Sequence, residues 1–203
     1  MYKAIGKRLL DLFFSLIGLF LLSPVFLLVP VIIKLDSSGP VFFVQKRMGR
    51  GGKSFSLIKF RSMTSDLEQE KKGFEPGLSR RVTNVGRLLR KSKLDEVPQL
   101  VNVFIGDMSF VGPRPEVEKY KDFYTGEFED ILSVRPGITD QASIKYRHEE
   151  EILAKSEDPQ TAYRKVILPD KLNMARQYVR TIGLKQDLKI IAQTIAAVLK
   201  RGI

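Results

Sequence analysis

The 203-residue sequence has no cysteine, no tryptophan and a single histidine, His148. The absence of cysteine excludes disulfide bonds, a thiolate nucleophile, and zinc or iron–sulfur sites built on thiolates. With one histidine, a histidine-rich metal centre is excluded, and a Ser-His-Asp triad would depend on His148 alone. Acidic residues are also scarce, since 23 Asp and Glu face 34 Lys and Arg and give a formal net charge of +11. This excess indicates a polyanionic partner: nucleic acid, phospholipid headgroups or phosphorylated substrates.

One long apolar run lies near the N-terminus, from Leu9 to Leu35. No charged residue occurs between Leu12 and Ile33, and a straight helix of that length would cover about 30 Å, the thickness of a hydrocarbon core. A signal peptide is a poorer interpretation because no small-residue cleavage site follows the run. A soluble core helix is also poorer, because the run is apolar on every face.

Basic side chains flank this run on both sides. Lys3, Lys7 and Arg8 precede it, and Lys34, Lys46, Arg47, Arg50 and Lys53 follow it. Because basic flanks favour the cytoplasmic side, both ends are expected there. Pro24 removes a helical hydrogen bond near the middle, and the hydroxyl of Ser23 can bond a freed carbonyl. These residues favour a re-entrant helix–break–helix, while a single span would satisfy only the length.

A β-hairpin is predicted directly after the apolar run. Residues 41–45 are typical of a short strand, 49–52 of a glycine-rich turn and 55–61 of the returning strand. Lys59 and Arg61 are two residues apart and would share one face of that strand. A solvated edge strand protected by its charges is the simpler interpretation, and the residues alone favour it over an anion site.

Asp95 and Glu96 stand where a basic segment meets a predicted helix. Residues 80–93 contain six basic side chains, and the apolar positions 97, 100, 101 and 104 have helical spacing. Pro98 suits the first turn of that helix, so the two acids would lie at its N-terminus. Capping by Asp95 is the simpler interpretation and is favoured by the residues alone. The alternative is a carboxylate held among amides and cations as a nucleophile or metal ligand.

Two arginines lie in loops that proline and glycine hold rigid. Arg114 stands between two prolines at the end of the run 106–115, and Arg135 comes directly before Pro136 and Gly137. An arginine on a rigid loop loses little entropy when it binds a phosphate through two N–H groups. Together with the acidic pair and the two basic residues of the returning strand, these loops predict an anion-binding site.

The C-terminal segment predicts an amphipathic helix. Its apolar face consists of Leu188, Ile191, Ile195, Val198 and Leu199. Such a face fits either the core or the membrane interface. His148, which three glutamates follow, is most simply a solvated helix residue and receives no role.

Five motifs together resemble the bacterial sugar transferases, the monotopic phosphoglycosyl transferases that begin glycan assembly on a polyprenol carrier. They are the basic-flanked apolar segment broken at Ser23-Pro24, Lys59-Phe60-Arg61-Ser62-Met63, Leu94-Asp95-Glu96-Val97-Pro98-Gln99, the run 106–115, and Arg135-Pro136-Gly137-Ile138-Thr139. The resemblance covers nearly the whole chain in the family's order, and the run 106–115 is very specific. Larger relatives add N-terminal transmembrane helices, so the chain resembles the minimal catalytic form.

The resemblance implies a reaction. A sugar 1-phosphate would move from a UDP-sugar to polyprenyl phosphate, releasing UMP and forming a polyprenyl diphosphate sugar. Asp95 would be the nucleophile that forms a phosphosugar–enzyme intermediate in a ping-pong route, and Glu96 would be its partner in the dyad. Magnesium (Mg²⁺) would neutralise the diphosphate, with Asp95 as a ligand. The phosphate-binding side chains would be Lys59, Arg61, Arg87, Arg90, Arg114 and Arg135.

The expected architecture follows from the same resemblance. The fold would be α/β, mostly helical with a small β-hairpin or sheet. Residues 1–36 would form a re-entrant membrane hairpin, and residues 37–203 a compact cytoplasmic catalytic domain with interfacial amphipathic helices, the last of them at the C-terminus. The chain would lie on the cytoplasmic face of a bacterial inner membrane. Its expected partners are a UDP-sugar, polyprenyl phosphate, membrane phospholipid and a second copy in a homodimer, with no nucleic acid.

The sequence leaves open both the identity of the sugar and the functional class. Many relatives continue the Arg-Pro-Gly-Ile-Thr run with Gly-Trp-Ala-Gln, whereas Asp140-Gln141-Ala142-Ser143 follows here, so the sugar is not predicted. Two rival functional classes remain. One is a single-span membrane protein whose soluble domain does unrelated work, with Met1 and Lys53 on opposite sides of the membrane. The other is a non-enzymatic, membrane-tethered basic module that binds anionic lipid or nucleic acid. Such a module would bind in a strongly salt-dependent way and would be indifferent to Asp95→Asn.

Overall fold

The structure, a computed structural model, describes residues 2–64 and 81–199. Helices dominate these ranges, and the strands form two small two-stranded sheets. The α-helices are α1 (Lys7–Leu21), α2 (Ser23–Asp36), α3 (Asn84–Ser92), α4 (Gln99–Ile105), α5 (Gln141–Lys145), α6 (Glu149–Ala154), α7 (Pro159–Ala162), α8 (Leu168–Arg180) and α9 (Leu184–Leu199). The strands are β1 (Phe42–Met48), β2 (Ser54–Phe60), β3 (Ser109–Val111) and β4 (Gly137–Thr139). The predicted fold class, mostly helical with small sheets, is confirmed.

β1 and β2 form the predicted β-hairpin. They pair antiparallel from Phe42 opposite Phe60 to Met48 opposite Ser54, so β1 runs three residues further than predicted. The connection is a short 3-10 helix (Arg50–Gly52) whose two glycines adopt left-handed φ values of +68° and +70°. The hairpin fixes the position of the β2 side chains, including the lysine of the predicted anion site.

β3 and β4 form a parallel pair from two segments that the sequence assigned to loops. Ser109 lies opposite Gly137, and Val111 lies opposite Thr139. A Cβ atom on Gly137 would lie 2.1 Å from the backbone nitrogen of Gly112, so the close approach requires glycine. This pairing joins residues far apart in the chain, and no local pattern in the sequence indicates it.

A sharp break at Leu22 separates α1 from α2. Pro24 lies in the first turn of α2, where a missing N–H costs no helical hydrogen bond, and the two helices are bent by 57°. Within the described ranges no single helix is long and apolar enough to cross a membrane, whereas this bent pair passes the same test when taken together. The break predicted at Ser23 and Pro24 is therefore present.

One face of the helix pair packs against the rest of the molecule. Asp11 and Ser15 of α1 are buried, and Val29 and Ile33 of α2 join Phe60 in a hydrophobic cluster. The opposite face exposes the large apolar side chains Leu9, Phe13, Phe14, Leu16, Phe20, Leu21, Leu27, Leu28, Val31, Ile32 and Leu35. A pair that is covered on one face and apolar on the other is suited to a membrane surface.

The C-terminal helix α9 uses only part of its apolar surface for the core. Ile190 is fully buried, whereas Leu184, Leu188, Ile195 and Leu199 are exposed. Most of the predicted apolar face therefore points away from the core. Of the two interpretations of this helix, the interfacial one agrees with the exposure of its side chains.

Gly86, in the first turn of α3, lies against the backbone that leaves β2. A Cβ atom there would lie 1.9 Å from the carbonyl oxygen of Ser62. We expect Gly86→Ala to lower the free energy of unfolding by about 2–4 kcal/mol, because backbone rather than a flexible side chain must move. Denaturant unfolding in detergent micelles measures the loss. Gly183→Ala is the control, because a Cβ atom there would lie 3.8 Å from the carbonyl oxygen of Thr181, an ordinary contact distance. An equal loss of stability in that variant would contradict the steric argument.

Candidate active site

Asp95 and Glu96 lie in a single turn of 3-10 helix (Leu94–Glu96) between α3 and α4. Lys93 ends α3 in the left-handed conformation, with φ of 61°, and turns the chain toward the site. No backbone N–H of the described residues donates a hydrogen bond to either carboxylate. Asp95 is therefore not a helix cap, and the simpler interpretation of the acidic pair is wrong.

Two cations hold Glu96. Its Oε1 atom accepts a hydrogen bond from Nζ of Lys59 at 2.8 Å and lies 3.7 Å from Nη2 of Arg114. Burial alone would raise the pKa of Glu96, but the charges of Lys59 and Arg114 outweigh burial and hold the pKa well below its usual range. Glu96 is therefore ionised at neutral pH, and its charge is neutralised by these two side chains.

Asp95 is in the opposite situation. The residue is only 7% exposed, and no described residue donates a hydrogen bond to its carboxylate, whose Oδ1 atom is buried. Burial raises the pKa of Asp95; the charge of Lys59 partly offsets this, and the charge of Glu96 adds to it. Two adjacent acids thus have pKa values shifted in opposite directions, the pattern that assigns different chemical roles to paired carboxyls. Asp95 has free lone pairs that can attack an electrophile or bind a cation.

Asn102 fixes the position of Lys59 relative to the acids. Its side chain is fully buried on α4, donates from Nδ2 to the carbonyl oxygen of Ser56 at 2.8 Å and accepts from the N–H of Ile58 at 3.1 Å. The amide thereby pairs with the backbone of β2 as a neighbouring strand would. Sequence reasoning missed Asn102, although a lone amide on the apolar side of a short helix is a signal for such a contact.

Arg114 is held by residues 140–143, the segment in which the sequence departs from many relatives. Its backbone N–H donates to Oδ2 of Asp140 at 3.0 Å, and its Nη1 atom lies 3.4 Å from Oγ of Ser143. Asp140 also caps α5 by accepting the N–H of Ser143 at 2.6 Å. Burial would lower the pKa of Arg114, but the charges of Glu96 and Asp140 outweigh it and raise the pKa. Asp140 and Ser143 are thus positioning residues that sequence reasoning did not identify.

A second layer of buried charge lies behind Arg114. Lys171 is buried and forms ion pairs with Glu149 and, at 3.9 Å, with Glu116, which is also buried. Arg47 donates from Nη1 to the carbonyl oxygen of the proline after Arg114, at 3.0 Å. In the sequence, Arg47 is only one of the basic residues that flank the apolar run, and Glu149 is one of three glutamates that follow a solvated histidine. The tertiary contacts show that Arg47 supports the arginine loop directly, whereas Glu149 pairs with Lys171 behind it.

Arg61, Arg87 and Arg90 occupy three different environments. Arg61 is buried and donates to the carbonyl oxygens of Ser37 (2.6 Å) and Ser38 (2.8 Å), so it joins the end of α2 to the hairpin rather than facing the acids. Arg90 forms an ion pair with Glu150 of α6 and acts on Asp95 through its charge. Arg87 is exposed on α3.

Arg135 is placed at the other end of α4 from Asp95. Its Nε atom donates to the carbonyl oxygen of Gly106 at 2.7 Å, directly after the seven-residue helix, which is about 10 Å long. The structure therefore brings together Asp95, Glu96, Lys59 and Arg114, but not Arg135. The reason is the parallel pairing of β3 and β4, which sets where the second loop ends.

An ionised carboxylate whose pKa is raised by folding lowers the stability of the chain. The folded state binds the Asp95 proton more tightly, so stability falls as pH rises from the unfolded pKa, about 3.9, through the folded value. We therefore expect Asp95→Asn to melt at a higher temperature than wild type at about pH 8. The gain should shrink as the pH is lowered toward about 4. A lower melting temperature of the variant at about pH 8 would contradict the assignment.

Comparisons with known proteins show the family of this chain. The chain matches the bacterial sugar transferase family over residues 2–201, and it belongs to that family. It is 36% identical to the UDP-N-acetylgalactosamine-undecaprenyl-phosphate N-acetylgalactosaminephosphotransferase of Aeromonas hydrophila, over 95% of this chain and 43% of that protein. It is 36% identical to the UDP-glucose:undecaprenyl-phosphate glucose-1-phosphate transferase of Caulobacter vibrioides, over 95% and 69% of the two chains.

A third relative is similar in length. The chain is 35% identical to the exopolysaccharide production protein ExoY of Sinorhizobium fredii, over 98% of this chain and 88% of that protein. The chain thus spans less than half of the Aeromonas protein but most of the Sinorhizobium one. The family predicted from the sequence motifs is confirmed.

Proposed function

We propose that the chain transfers a sugar 1-phosphate from a UDP-sugar to polyprenyl phosphate, through a phosphosugar intermediate on Asp95. The observation that carries this proposal is the buried carboxylate of Asp95, without a hydrogen bond from any described residue, next to a glutamate that two cations neutralise. The names of two relatives support the reaction class, because each pairs a UDP-sugar with undecaprenyl phosphate. Those names differ in the sugar, so the donor is proposed only as a UDP-sugar.

In the first step a carboxylate oxygen of Asp95 attacks the sugar-bound phosphorus of the donor. The bond from that phosphorus to the bridging oxygen breaks and UMP leaves, so an acyl phosphate joins Asp95 to the sugar. Because no described residue donates a hydrogen bond to the carboxylate of Asp95, its lone pairs are available for the attack. Lys59 and Arg114 offset the repulsion between the carboxylate and the incoming phosphates.

In the second step an oxygen of polyprenyl phosphate attacks the same phosphorus. The carboxylate of Asp95 leaves, and the product is a polyprenyl diphosphate sugar. This ping-pong order lets one site accept a water-soluble donor and a lipid acceptor in turn. Asp95 returns to its ionised form without a net change in protons on the chain.

Magnesium fits the site as a cofactor that binds together with the donor. Residues 2–64 and 81–199 contain no group of three or more Asp, Glu, His or Cys side chains that could hold a metal. The Oδ1 atom of Asp95, which accepts no hydrogen bond from the described residues, suits an ion that is bound by one or two carboxylates and by substrate phosphates. When bound, magnesium would neutralise charge on the diphosphate.

The reaction is tested by incubating the purified chain with magnesium and a panel of UDP-sugars. One UDP-sugar should release UMP and add the mass of its sugar 1-phosphate to the protein before any acceptor is present. Adding polyprenyl phosphate should remove the added mass. Release of UMP without a covalent mass, trapped under rapid quenching, would contradict the intermediate. No release with any donor would contradict the function.

We also propose that α1 and α2 enter and leave the membrane through its cytoplasmic face, with residues 1–36 as the hairpin and 37–203 as the catalytic domain. If both helices slope equally from one surface, their bend of 57° inclines each by about 28°. A 15-residue helix of about 22 Å then carries the break to a depth of about 10 Å, within one leaflet. The packed inner face supports this orientation, because a span along the membrane normal would carry α3, α4 and β3, which pack against the helix pair, into the membrane with it.

Cysteine labelling tests this orientation in a chain that contains no cysteine of its own. Lys3→Cys and Lys53→Cys place thiols at exposed positions before and after the hairpin. We expect both to resist a thiol reagent that cannot cross the inner membrane in intact cells, and both to react after lysis. Labelling of position 3 alone in intact cells would mean a true span, which the basic flanks disfavour.

A further inference from the structure

Two arginines converge at the C-terminal end of α4, away from the acidic pair. Arg8 donates from Nη1 to the carbonyl oxygen of Val103 at 2.6 Å and from Nη2 to that of Phe104 at 2.8 Å. Arg135 donates from Nε to the carbonyl oxygen of Gly106 at 2.7 Å. Both guanidiniums are therefore fixed by the backbone of the same helix end.

The two side chains flank a single glycine. Gly106 adopts a φ of +100°, and a Cβ atom on it would lie 3.2 Å from Nη2 of Arg8. Because the carbonyl of this same residue binds Arg135, two like charges are held close together. Arg50, exposed in the β1–β2 connection, adds a third, because Gly49, the residue before it, lines a pocket together with Val134 and Pro136, the residues on either side of Arg135. Burial lowers the pKa of Arg135, and the charges of Arg8 and Arg50 lower it further.

The three charges of this arginine cluster (Arg8, Arg50 and Arg135) are not balanced within the described part of the chain. The guanidinium of Arg50 makes no ion pair or hydrogen bond with any residue of those ranges, and the partners of the other two guanidiniums are neutral carbonyls. Asp11 opposes the three arginines with a single carboxylate, whose Oδ1 atom accepts from the hydroxyl of Ser109 and from the N–H of Phe110, each at 3.0 Å. No residue of the described ranges accepts a hydrogen bond from the terminal nitrogens of Arg135, so both can bind an oxyanion.

Apolar side chains border the cluster. Ile5 and Leu9, on either side of Arg8 in the sequence, are each 60% exposed, and Ile105 at the end of α4 is 60% exposed as well. Arg8 lies one residue before the apolar run, so in the proposed orientation its charge is at the level of the lipid headgroups. The arginine cluster therefore lies beside exposed apolar side chains that can contact lipid acyl chains.

We propose that the arginine cluster binds the phosphate of an anionic phospholipid whose acyl chains lie along the exposed face of α1. Charge complementarity selects the phosphate, and the continuous apolar surface selects a lipid over a free anion. The proposal rests on the cytoplasmic, re-entrant orientation proposed above. The bound phosphate is not the reacting one, because α4, about 10 Å long, separates the cluster from Asp95. The lipid would instead fix the catalytic domain against the membrane surface.

Native mass spectrometry tests this with the full chain in detergent micelles that hold equal amounts of phosphatidylglycerol and phosphatidylcholine. We expect wild type to retain phosphatidylglycerol selectively and Arg50→Gln/Arg135→Gln to bind it about tenfold more weakly or worse. Lys185→Gln/Lys189→Gln is the matched control, because it removes the same charge from exposed positions on α9 and should keep the selectivity. Arg50→Gln alone changes an exposed turn residue without disturbing the helix end, and it should weaken retention in the same direction.

Three results would overturn the proposal. If the α9 control loses selectivity as much as the cluster variant, the lipid is attracted by net charge and not by a site. If Arg50→Gln/Arg135→Gln, still folded by its melting temperature, retains phosphatidylglycerol as wild type does, the cluster does not bind it. If inorganic phosphate displaces the lipid at matched concentration, the site takes a free anion. Failure of UMP release with lipid selectivity intact would count against the proposed function alone.

Discussion

Asp95→Asn is expected to lower turnover by about 10⁴-fold or more while the chain stays folded. Asparagine keeps the shape of the side chain, but its amide cannot form the acyl phosphate. Glu96 cannot take over, because Lys59 and Arg114 hold its carboxylate. Steady-state UMP release measures turnover, and the mass of the quenched protein measures the covalent intermediate. Both signals should disappear.

Asp158→Asn is the matched control for this substitution. Asp158 does cap a helix, since its Oδ1 atom accepts the N–H groups of Gln160 and Thr161 at 3.0 and 3.1 Å. It is thus an example of the role that Asp95 lacks, and its replacement should leave turnover within about twofold of wild type. Activity of Asp95→Asn within about tenfold of wild type would refute the nucleophile.

The sequence predicted those parts of the molecule that depend on local chemistry. The apolar run was predicted to break at Ser23 and Pro24, and the two helices separate at Leu22, directly before them, whereas Pro30 is accommodated inside α2. Glycines at 51 and 52 supply the positive φ values of the hairpin turn, and that hairpin forms. The acidic pair was located between a basic segment and a helix, where it lies. In each case residues adjacent in the chain determine the outcome.

The rest of the site depends on contacts between distant residues. Lys59 and Arg61 are two residues apart, as side chains on the same face of a strand are. However, β2 ends at Phe60, and Arg61 instead binds the backbone carbonyls that follow α2. Arg135 was grouped with Arg114 because both lie in rigid loops, but the pairing of β3 with β4 sends it to the far end of α4. Such pairings have no periodic signal, so proximity could not be predicted from loop chemistry.

Arg114→Lys is expected to lower kcat/KM by about 100-fold even though the charge is kept. The guanidinium approaches Glu96 with one nitrogen and Ser143 with another, while Asp140 fixes the backbone of the same residue. An ammonium is a single point charge and cannot neutralise Glu96 while it binds a donor phosphate. Initial rates over a range of donor concentrations measure the loss. Arg114 both neutralises Glu96 and binds a donor phosphate. The substitution should therefore lower kcat and also raise KM for the donor.

Arg176→Lys provides the control for general loss of an arginine. Arg176 pairs with Glu127 outside the site, so a lysine there should keep the ion pair and leave kcat/KM within about twofold of wild type. Ser143→Ala should fall between the two variants, because it removes one support of Arg114 and leaves Glu96 in place. Near-normal rates for Arg114→Lys would mean that only its charge is used. Equal losses in Arg114→Lys and Arg176→Lys would mean that the fold, and not the phosphate site, requires the guanidinium.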